Sequence, residues 1–249
     1  LVLLGCSLGF FFLGFLDDLF KLSPRSRLVA EILISAGAWL GGIRLEVINI
    51  SWLGYEDKFF IIPKIISLIL TLIWLVGVTN AINWIDGLDG LASGITAIAS
   101  LGFVFTSYSL DQFAAGFLLA SLAGSSLGFL FFNKYPAKIF LGDGGSYFLG
   151  FNLASLGILG SSSIVEFNQV EQVNTINIHL CIIILLIPLA DMTYVIINRL
   201  IKKKSPFFAD RSHLHYRILN TGLSQKKSVQ MIYCFSITLS ILAALSTNL

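Results

Sequence analysis

Long apolar segments recur along the whole chain, and they limit what it can fold into more than any other feature. They lie at roughly 1–16, 28–43, 61–79, 91–109, 112–132, 145–164, 179–201 and 228–247. Each is long enough to cross or nearly cross a bilayer, which takes about 20 apolar residues in a helix. Only 12% of the residues are charged, whereas a soluble domain carries about 25%. The sequence therefore predicts an all-α, polytopic integral membrane protein with about eight transmembrane helices, in one domain over 1–249.

The lysines and arginines predict which helix ends face the cytoplasm. Alternation of the eight segments divides the connections into two sides: 17–27, 80–90, 133–144 and 202–227 on the first, and 44–60, 109–111 and 165–178 on the second. Only Arg44, Lys58 and Lys64 of the 16 lysines and arginines lie on the second side. The positive-inside rule therefore makes the first side cytoplasmic.

Several classes of protein and site are disfavoured. No stretch interleaves basic and aromatic residues, so no nucleic-acid partner is expected. Cys6, Cys181 and Cys234 lie far apart in apolar runs, which argues against disulfides or a thiolate metal site. On the second side, 44–58 alternates apolar and polar residues and predicts a short hairpin or an interfacial segment, whereas 165–178 predicts a polar, solvated loop.

The first of four chemical clusters on the cytoplasmic side is an acidic pair. Asp17 and Asp18 directly follow the first apolar segment, and Lys21 stands three residues later. Adjacent carboxylates repel each other unless a cation joins them. A metal ion, a phosphate bound with its metal, or Lys21 could supply that charge. A solvated acidic helix end is the equal alternative.

The second cluster repeats polar residues every three positions. Asn80, Asn83, Asp86 and Asp89 would lie near one face if they continued a helix. Gly87 and Gly90 indicate that the helix ends or unwinds here, where backbone can approach a ligand closely. A purely structural turn is the alternative.

The third and fourth clusters lie further along. Gly142-Asp143-Gly144-Gly145 precedes an apolar helix and could present backbone amides to an anion, and Asp143 is a plausible magnesium ligand. The segment 210–217 combines two histidines with arginines, which suits phosphate better than zinc. Glu31 and Asp191, inside apolar runs, could serve an ion pathway, although interhelical hydrogen bonding is the favoured interpretation for Asp191.

Taken together, acidic groups for a metal, glycines for backbone approach, and Arg and His for anionic oxygens predict phosphoryl transfer to a lipid. The motifs resemble those of the polyprenyl-phosphate N-acetylhexosamine-1-phosphate transferase family. The matching segments follow the family's order and span nearly the whole chain: LGFLDDLFKL at 13–22, NAINWIDGLDGLASG at 80–94, FLGDGGS at 140–146 and DRSHLHYR at 210–217.

The resemblance implies a reaction and a location. The family transfers a sugar 1-phosphate from a UDP-N-acetylhexosamine to membrane polyprenyl (undecaprenyl) phosphate, releases UMP, and needs Mg²⁺ or Mn²⁺. For this chain it implies a multi-pass protein of the bacterial cytoplasmic membrane with a cytoplasmic active site, which starts cell-envelope polysaccharide or glycan synthesis. The oligomeric state is left open, with a homodimer as one option.

The resemblance also implies residue roles. Asp17 would be the base for the lipid phosphate, which Lys21 and Arg27 would face; Asp89 and Phe140 would contact the uracil. The full expected sets are as follows: catalytic, Asp17, Asp18, Asp86, Asp143 and His213; substrate-binding, Lys21, Arg27, Asn80, Asn83, Asp89, Phe140, Arg211 and His215; metal-binding, Asp143 and Asn83.

Two departures from the family pattern refine the expectation. Tyr216 stands where a third histidine often occurs, which favours N-acetylglucosamine as the sugar over phospho-N-acetylmuramoyl-pentapeptide transfer. The usual fold has ten or eleven helices, so about eight here predicts that N-terminal helices are missing. A transporter, which would use Glu31 and Asp191 near the membrane centre, and a non-catalytic membrane scaffold are the competing hypotheses.

Overall fold

The computed structural model describes residues 1–50, 59–167, 171–207 and 210–248. The described chain is mainly a bundle of long helices, and the all-α prediction is confirmed in that sense. The helices are α1 (Val2–Phe20), α2 (Pro24–Leu40), α3 (Lys64–Ile85), α4 (Leu91–Ser109), α5 (Phe113–Asn133), α6 (Gly142–Gly160), α7 (Ile178–Ile184), α8 (Leu186–Ile201), α9 (Leu214–Leu219) and α10 (Gln225–Leu245). The strands are β1 (Val47–Asn49), β2 (Phe59–Ile61), β3 (Ser162–Phe167) and β4 (Glu171–Ile176).

Every one of the eight predicted apolar segments contains a helix, and the polytopic membrane prediction is confirmed. Within the described ranges, five helices are long and apolar enough to span a membrane: α1, α3, α4, α5 and α10. The pair α7 and α8 counts as a sixth if it forms one span, although its halves meet at 79°. The expectation of one continuous helix over 179–201 is therefore wrong. The break falls just before Pro188, which lacks the N–H that a helix interior requires and sits in the first turn of α8.

The centre of the bundle is α6, which packs against α1, α3, α4 and α5. Phe151 on α6 and Phe10 on α1 are completely buried, and their rings stack with centroids 4.7 Å apart. Because protein surrounds α6, small and polar residues along it do not face lipid. This explains why a helix this central is less apolar than its neighbours.

A small four-stranded sheet, in the order β2-β1-β4-β3, joins the two long connections of the second side. Strands β1 and β2 pair antiparallel, which favours the hairpin alternative for 44–58, although the second strand lies just beyond that segment and 51–58 lie outside the described residues. The loop conformation predicted for 165–178 is wrong, because β3 and β4 form an antiparallel pair there. Residues 168–170 lie outside the described residues. Strand β4 also pairs with β1, in parallel. Sequence patterns carry little information on pairing between such distant segments, so the sequence did not predict these strands.

The directions of the helices separate the sheet from the chemical motifs. Helix α3 begins shortly after β2 and ends at Ile85, whereas α6 begins at Gly142 and ends shortly before β3. The sheet therefore lies at one end of the bundle. The end of α3 and the start of α6, which carry the second and third clusters, lie at the other.

Candidate active site

Close packing of α1 against α6 brings the first and third clusters together. A Cβ atom at Gly14 would lie 2.2 Å from the backbone oxygen of Asp143, so only glycine permits this approach. One turn further along α1, the Asp18 carboxylate accepts hydrogen bonds from the backbone N–H groups of Asp143 (3.0 Å) and Gly144 (3.2 Å). Two of the backbone amides that this loop could present to a ligand anion are therefore already bound by Asp18.

Asp17 is only 6% exposed, and its side chain also interacts with the Asp143 carboxyl group. Its carboxylate forms an ion pair with the Arg27 guanidinium on α2, which also lies 4.0 Å from the Asp143 carboxylate. A solvated helix end is therefore excluded for Asp17. Lys21 ends α1 in the left-handed conformation with φ 50° and is exposed.

The end of α3 supplies two oriented amides. Asn83 donates from Nδ2 to Asp143 Oδ1 at 2.7 Å and to Ser146 Oγ at 2.9 Å. Since its N–H groups face these acceptors, the amide oxygen is the atom that Asn83 can offer to a ligand. Asn80, one turn earlier, donates to the buried Glu31 carboxylate at 2.6 Å. Glu31 thus has an interhelical hydrogen-bond partner.

The second cluster continues past the helix, as the glycines indicated. Helix α3 ends at Ile85, and α4 begins after Gly90, whose φ is 78°. Asp86 and Asp89 therefore lie in the turn between the helices. Asp89 accepts a hydrogen bond from the backbone N–H of Ala137 at 3.0 Å, which ties this turn to the segment before α6.

These side chains line a first space, the acidic cavity, of about 360 Å³. Its polar lining is Asp18, Asn83, Asp86, Asp89, Asn133 and Asp143. Phe140, whose side chain is 79% exposed, forms part of its rim. Burial raises the pKa of Asp86 to about 7, and the nearby carboxylates of Asp143, Asp18 and Asp89 act in the same direction. The cavity thus holds more negative charge than its own residues neutralise.

A second space, the mixed cavity, has a volume of about 520 Å³ and adjoins the first at Gly87, which lines both. One part of its lining is polar: Arg27, Glu31, Asn80, Arg199, Asp210, His213 and His215. Another part is apolar and comes from α3 and α8: Ile73, Val76, Gly77, Met192 and Ile196. Lys21 and Arg211 line neither of these two cavities.

The fourth cluster, residues 210–217, lies against the end of α3. His213 shares a hydrogen bond of 2.8 Å between its Nδ1 and Asp191 Oδ2 on α8, which confirms hydrogen bonding as the role of Asp191. His215 is 1% exposed, and neither ring nitrogen has a hydrogen-bond partner among the described residues. Burial, followed by the neighbouring His213, lowers the pKa of His215 to about 4. Arg211 is exposed and lies over the Tyr216 ring at 5.9 Å.

The residues of the acidic cavity were tested for their fit to a divalent cation. Within the described ranges, no group of three or more His, Cys, Asp or Glu side chains is arranged to enclose a metal. Magnesium, however, is usually held by one or two carboxylates together with substrate phosphates rather than by a protein cage. Asp143 and the oxygen of Asn83 fit that type of site. Burial and then the neighbouring carboxylates raise the pKa of Asp86, and a cation would offset the negative charge of those carboxylates.

Arg199 and Trp84, which lie together in this region, carried no predicted catalytic or binding role. Arg199 is 3% exposed and donates to Asp210 Oδ1 at 3.0 Å, while its guanidinium lies 5.2 Å from the ring centroid of Trp84. The sequence treated Arg199 only as one of the basic residues at a helix end. The sequence offered no signal for its burial, because Asp191, the acidic residue in the same apolar run, pairs with His213 instead.

Comparison with known proteins agrees with this arrangement. The sequence model described as glycosyl transferase family 4 matches residues 1–161. A probable undecaprenyl-phosphate N-acetylglucosaminyl 1-phosphate transferase of Bacillus subtilis is 36% identical over 93% of this chain and 61% of its own length. An undecaprenyl-phosphate alpha-N-acetylglucosaminyl 1-phosphate transferase of Thermotoga maritima is 30% identical, over 95% and 67%. A phospho-N-acetylmuramoyl-pentapeptide-transferase of Halalkalibacterium halodurans is 30% identical, over 66% and 53%. The chain thus spans little more than half to two thirds of these relatives.

Proposed function

Because this chain belongs to glycosyl transferase family 4, we propose that it transfers N-acetylglucosamine 1-phosphate from its UDP-sugar to membrane polyprenyl phosphate, such as undecaprenyl phosphate, and releases UMP. The observation that carries the proposal is the meeting of two unlike cavities at Gly87. One is acidic and suits a metal-bound nucleotide. The other combines cationic groups with an apolar wall and suits a phosphate on a lipid chain.

The nucleotide sugar belongs in the acidic cavity. Phe140 on its rim has an exposed ring on which the uracil can stack, and Asp89 is the adjacent acceptor for base N–H groups. Four carboxylates would repel a bare pyrophosphate. Magnesium or manganese, held by Asp143 and Asn83 and by phosphate oxygens, would offset that charge and stabilise the charge that develops in transfer.

The acceptor phosphate belongs in the mixed cavity. Arg27 lines this space and also approaches Asp143, so a phosphate beside Arg27 would be close to the metal-binding carboxylate. The apolar residues of α3 and α8 can hold the start of the lipid chain by burying it away from water. Because Lys21 lines neither cavity, Arg27 is the stronger candidate for the phosphate contact.

In the transfer step, an oxygen of the acceptor phosphate attacks the phosphorus that carries the sugar. The bond from this phosphorus to the bridging oxygen breaks, and UMP leaves with the electron pair. His213 lines the mixed cavity near its junction with the acidic cavity and can contact the pyrophosphate, whereas His215, which is 1% exposed, packs between His213 and Gly87. Asp17 is the proposed base, and its ion pair with Arg27 holds the carboxylate close to the proposed phosphate site.

We place the protein in the bacterial cytoplasmic membrane, with the active site on the cytoplasmic side and a role in starting envelope polysaccharide synthesis. The bias of lysine and arginine supports this orientation, because three of the 16 lie in the connections at the sheet end. A homodimer stays a prediction.

The deciding experiment measures transfer of radiolabel from UDP-N-acetylglucosamine to added polyprenyl phosphate in membranes containing the full-length protein. We expect labelled lipid pyrophosphate with magnesium and none with EDTA. Transfer only from UDP-N-acetylmuramoyl-pentapeptide would replace the proposed sugar. Folded protein that transfers neither sugar phosphate would favour the scaffold or transporter hypotheses.

A further inference from the structure

The end of α8 holds a buried cation whose contacts connect three separate parts of the fold. The Arg199 guanidinium donates from Nη1 to the backbone oxygen of Pro206 at 2.5 Å and from Nη2 to Asp210 Oδ1 at 3.0 Å. Its Cζ also lies 5.2 Å from the ring centroid of Trp84. A charge this deeply buried is tolerated because it is paired and hydrogen-bonded.

These contacts fix the beginning of the segment 210–217. Asp210 also accepts hydrogen bonds from the Ser212 hydroxyl at 2.6 Å and from the Ser212 backbone N–H at 3.3 Å. Partial burial opposes ionisation of Asp210, but the bonds from Arg199 and Ser212 outweigh it and lower the pKa to about 2. The ion pair is therefore fully formed at neutral pH.

The other side of the Arg199 contact is the end of α3. Trp84 follows Asn83 directly and precedes Asp86 by two positions, so its ring is attached to the backbone that carries the acidic cavity. The same ring meets His213 edge-on, with centroids 5.9 Å apart. Trp84 is thus packed between Arg199 and the histidine segment.

We propose that Arg199 is a positioning residue, which acts through Asp210 and Trp84 to hold the histidine segment 210–217 in register with the carboxylates at the end of α3. The proposal rests on the proposed function, since transfer is one of its two measurements. Without Arg199, the start of the segment loses its charged partner, and Asp210 is left unpaired. His213 and His215 would then no longer be held in one fixed arrangement in the mixed cavity, beside its junction with the acidic cavity at Gly87.

Transfer kinetics of the full-length protein test this through a double-mutant cycle of Arg199→Ala and Asp210→Ala. Each variant should lower kcat about 10- to 100-fold, as is typical of groups that orient a reacting residue. The kcat of the double variant should be no lower than that of the less active single variant, because both substitutions break the same contact between Arg199 and Asp210. Arg199→Lys should recover part of the loss. Lys202→Ala, which removes an exposed charge at the same end of α8, should leave kcat unchanged.

If the fold-losses of kcat in the two single variants multiply in the double variant, the proposal is overturned. Arg199 would then act independently of Asp210, for instance on the substrate itself. A purely structural effect of a substitution would appear as loss of folded protein in detergent. If Arg199→Ala does not fold, Asp210→Ala, which alters only a connecting segment, still tests the same contact through its kcat.

Hydrogen exchange of the 210–217 peptide provides a measurement that does not depend on transfer. Arg199→Ala and Asp210→Ala should increase exchange there relative to Lys202→Ala, since the segment loses its anchor. Unchanged exchange would overturn the positioning role. If exchange responds while the wild type transfers no sugar phosphate, the proposed function fails and the positioning role stands.

Discussion

The Asp191 carboxylate holds both the side chain and the adjoining backbone of the histidine segment: Oδ2 lies 2.8 Å from His213 Nδ1, and Oδ1 accepts the backbone N–H of Leu214 at 2.6 Å. A carboxylate that accepts from Nδ1 fixes the imidazole in one orientation and leaves Nε2 to meet a ligand. Asp191 is 5% exposed in the apolar helix α8, so its cost of burial is offset by this pair of hydrogen bonds.

Replacing Asp191 with asparagine should therefore lower kcat for transfer by about 10- to 100-fold, because the amide can no longer fix the His213 ring in the same way. KM for the UDP-sugar should change less, since the acidic cavity is untouched. The comparison is steady-state kinetics of Asp191→Asn beside Thr193→Ala, an exposed change on the same helix. Equal kcat in wild type and Asp191→Asn would contradict a role for this hydrogen bond in transfer.

A second prediction concerns the proposed metal ligand. Asp143→Asn should reduce transfer by about 100-fold or more, a loss typical of removing one charge-stabilising group from a reaction centre. The magnesium concentration needed for half-maximal activity should rise as well, because one carboxylate ligand is lost. Both quantities come from titrating magnesium into EDTA-treated membranes.

The matched control for that substitution is Asp111→Asn. Asp111 is exposed at φ 57°, a conformation that asparagine tolerates well, and it lies in the short connection between α4 and α5 at the opposite end from Asp143. It should leave both activity and magnesium dependence unchanged. An Asp143→Asn protein with normal transfer would remove Asp143 from the proposed metal site.

Much of the site was accessible from the sequence because short-range patterns encode it. Gly87 and Gly90 marked the end of α3 correctly, and the spacing of Asn83 and Asp86 placed both near one cavity. The topology implied by the charges placed the four motifs on one side, and the structure brings them to one end of the bundle. The glycine and spacing signals depend on residues within a few positions of each other, and the topology depends on counting lysines and arginines along the whole chain.

The parts that the sequence did not reveal depend on contacts between distant residues. That Asp18 caps the start of α6 follows from the close approach at Gly14, across more than 120 positions of chain. The parallel pairing of β1 with β4 is likewise settled by tertiary packing. Arg199 looked like an ordinary positive charge at a helix end, since its burial against Trp84 becomes visible only in three dimensions.

A third prediction follows from the buried imidazole of His215. Its pKa is about 4 in the folded protein, against about 6.5 in an unfolded chain. Between these values the unfolded state binds more protons, so the free energy of unfolding should rise with pH from about 4 to 6.5 and level off above. Thermal unfolding in detergent across this range should show a smaller slope for His215→Gln than for wild type. Identical slopes would show that His215 does not titrate in this way.

The last prediction tests the junction of the two cavities. A Cβ atom at Gly87 would lie 2.2 Å from His215 Nε2, and the ring cannot simply swing aside because it stacks on His213 with centroids 5.5 Å apart. Gly87→Ala should therefore displace His215 and lower kcat, while hydrogen exchange of the 210–217 peptide increases.

Gly124→Ala on α5 is the matched control, since nothing lies within 4 Å of a Cβ atom there. It should keep full activity and raise the melting temperature slightly, because alanine is the better helix former by up to about 1 kcal/mol. If Gly87→Ala transfers sugar phosphate as fast as Gly124→Ala, the contact between Gly87 and His215 has no part in the reaction. The contact between Arg27 of the mixed cavity and Asp143 of the acidic cavity would then be the connection that matters for transfer.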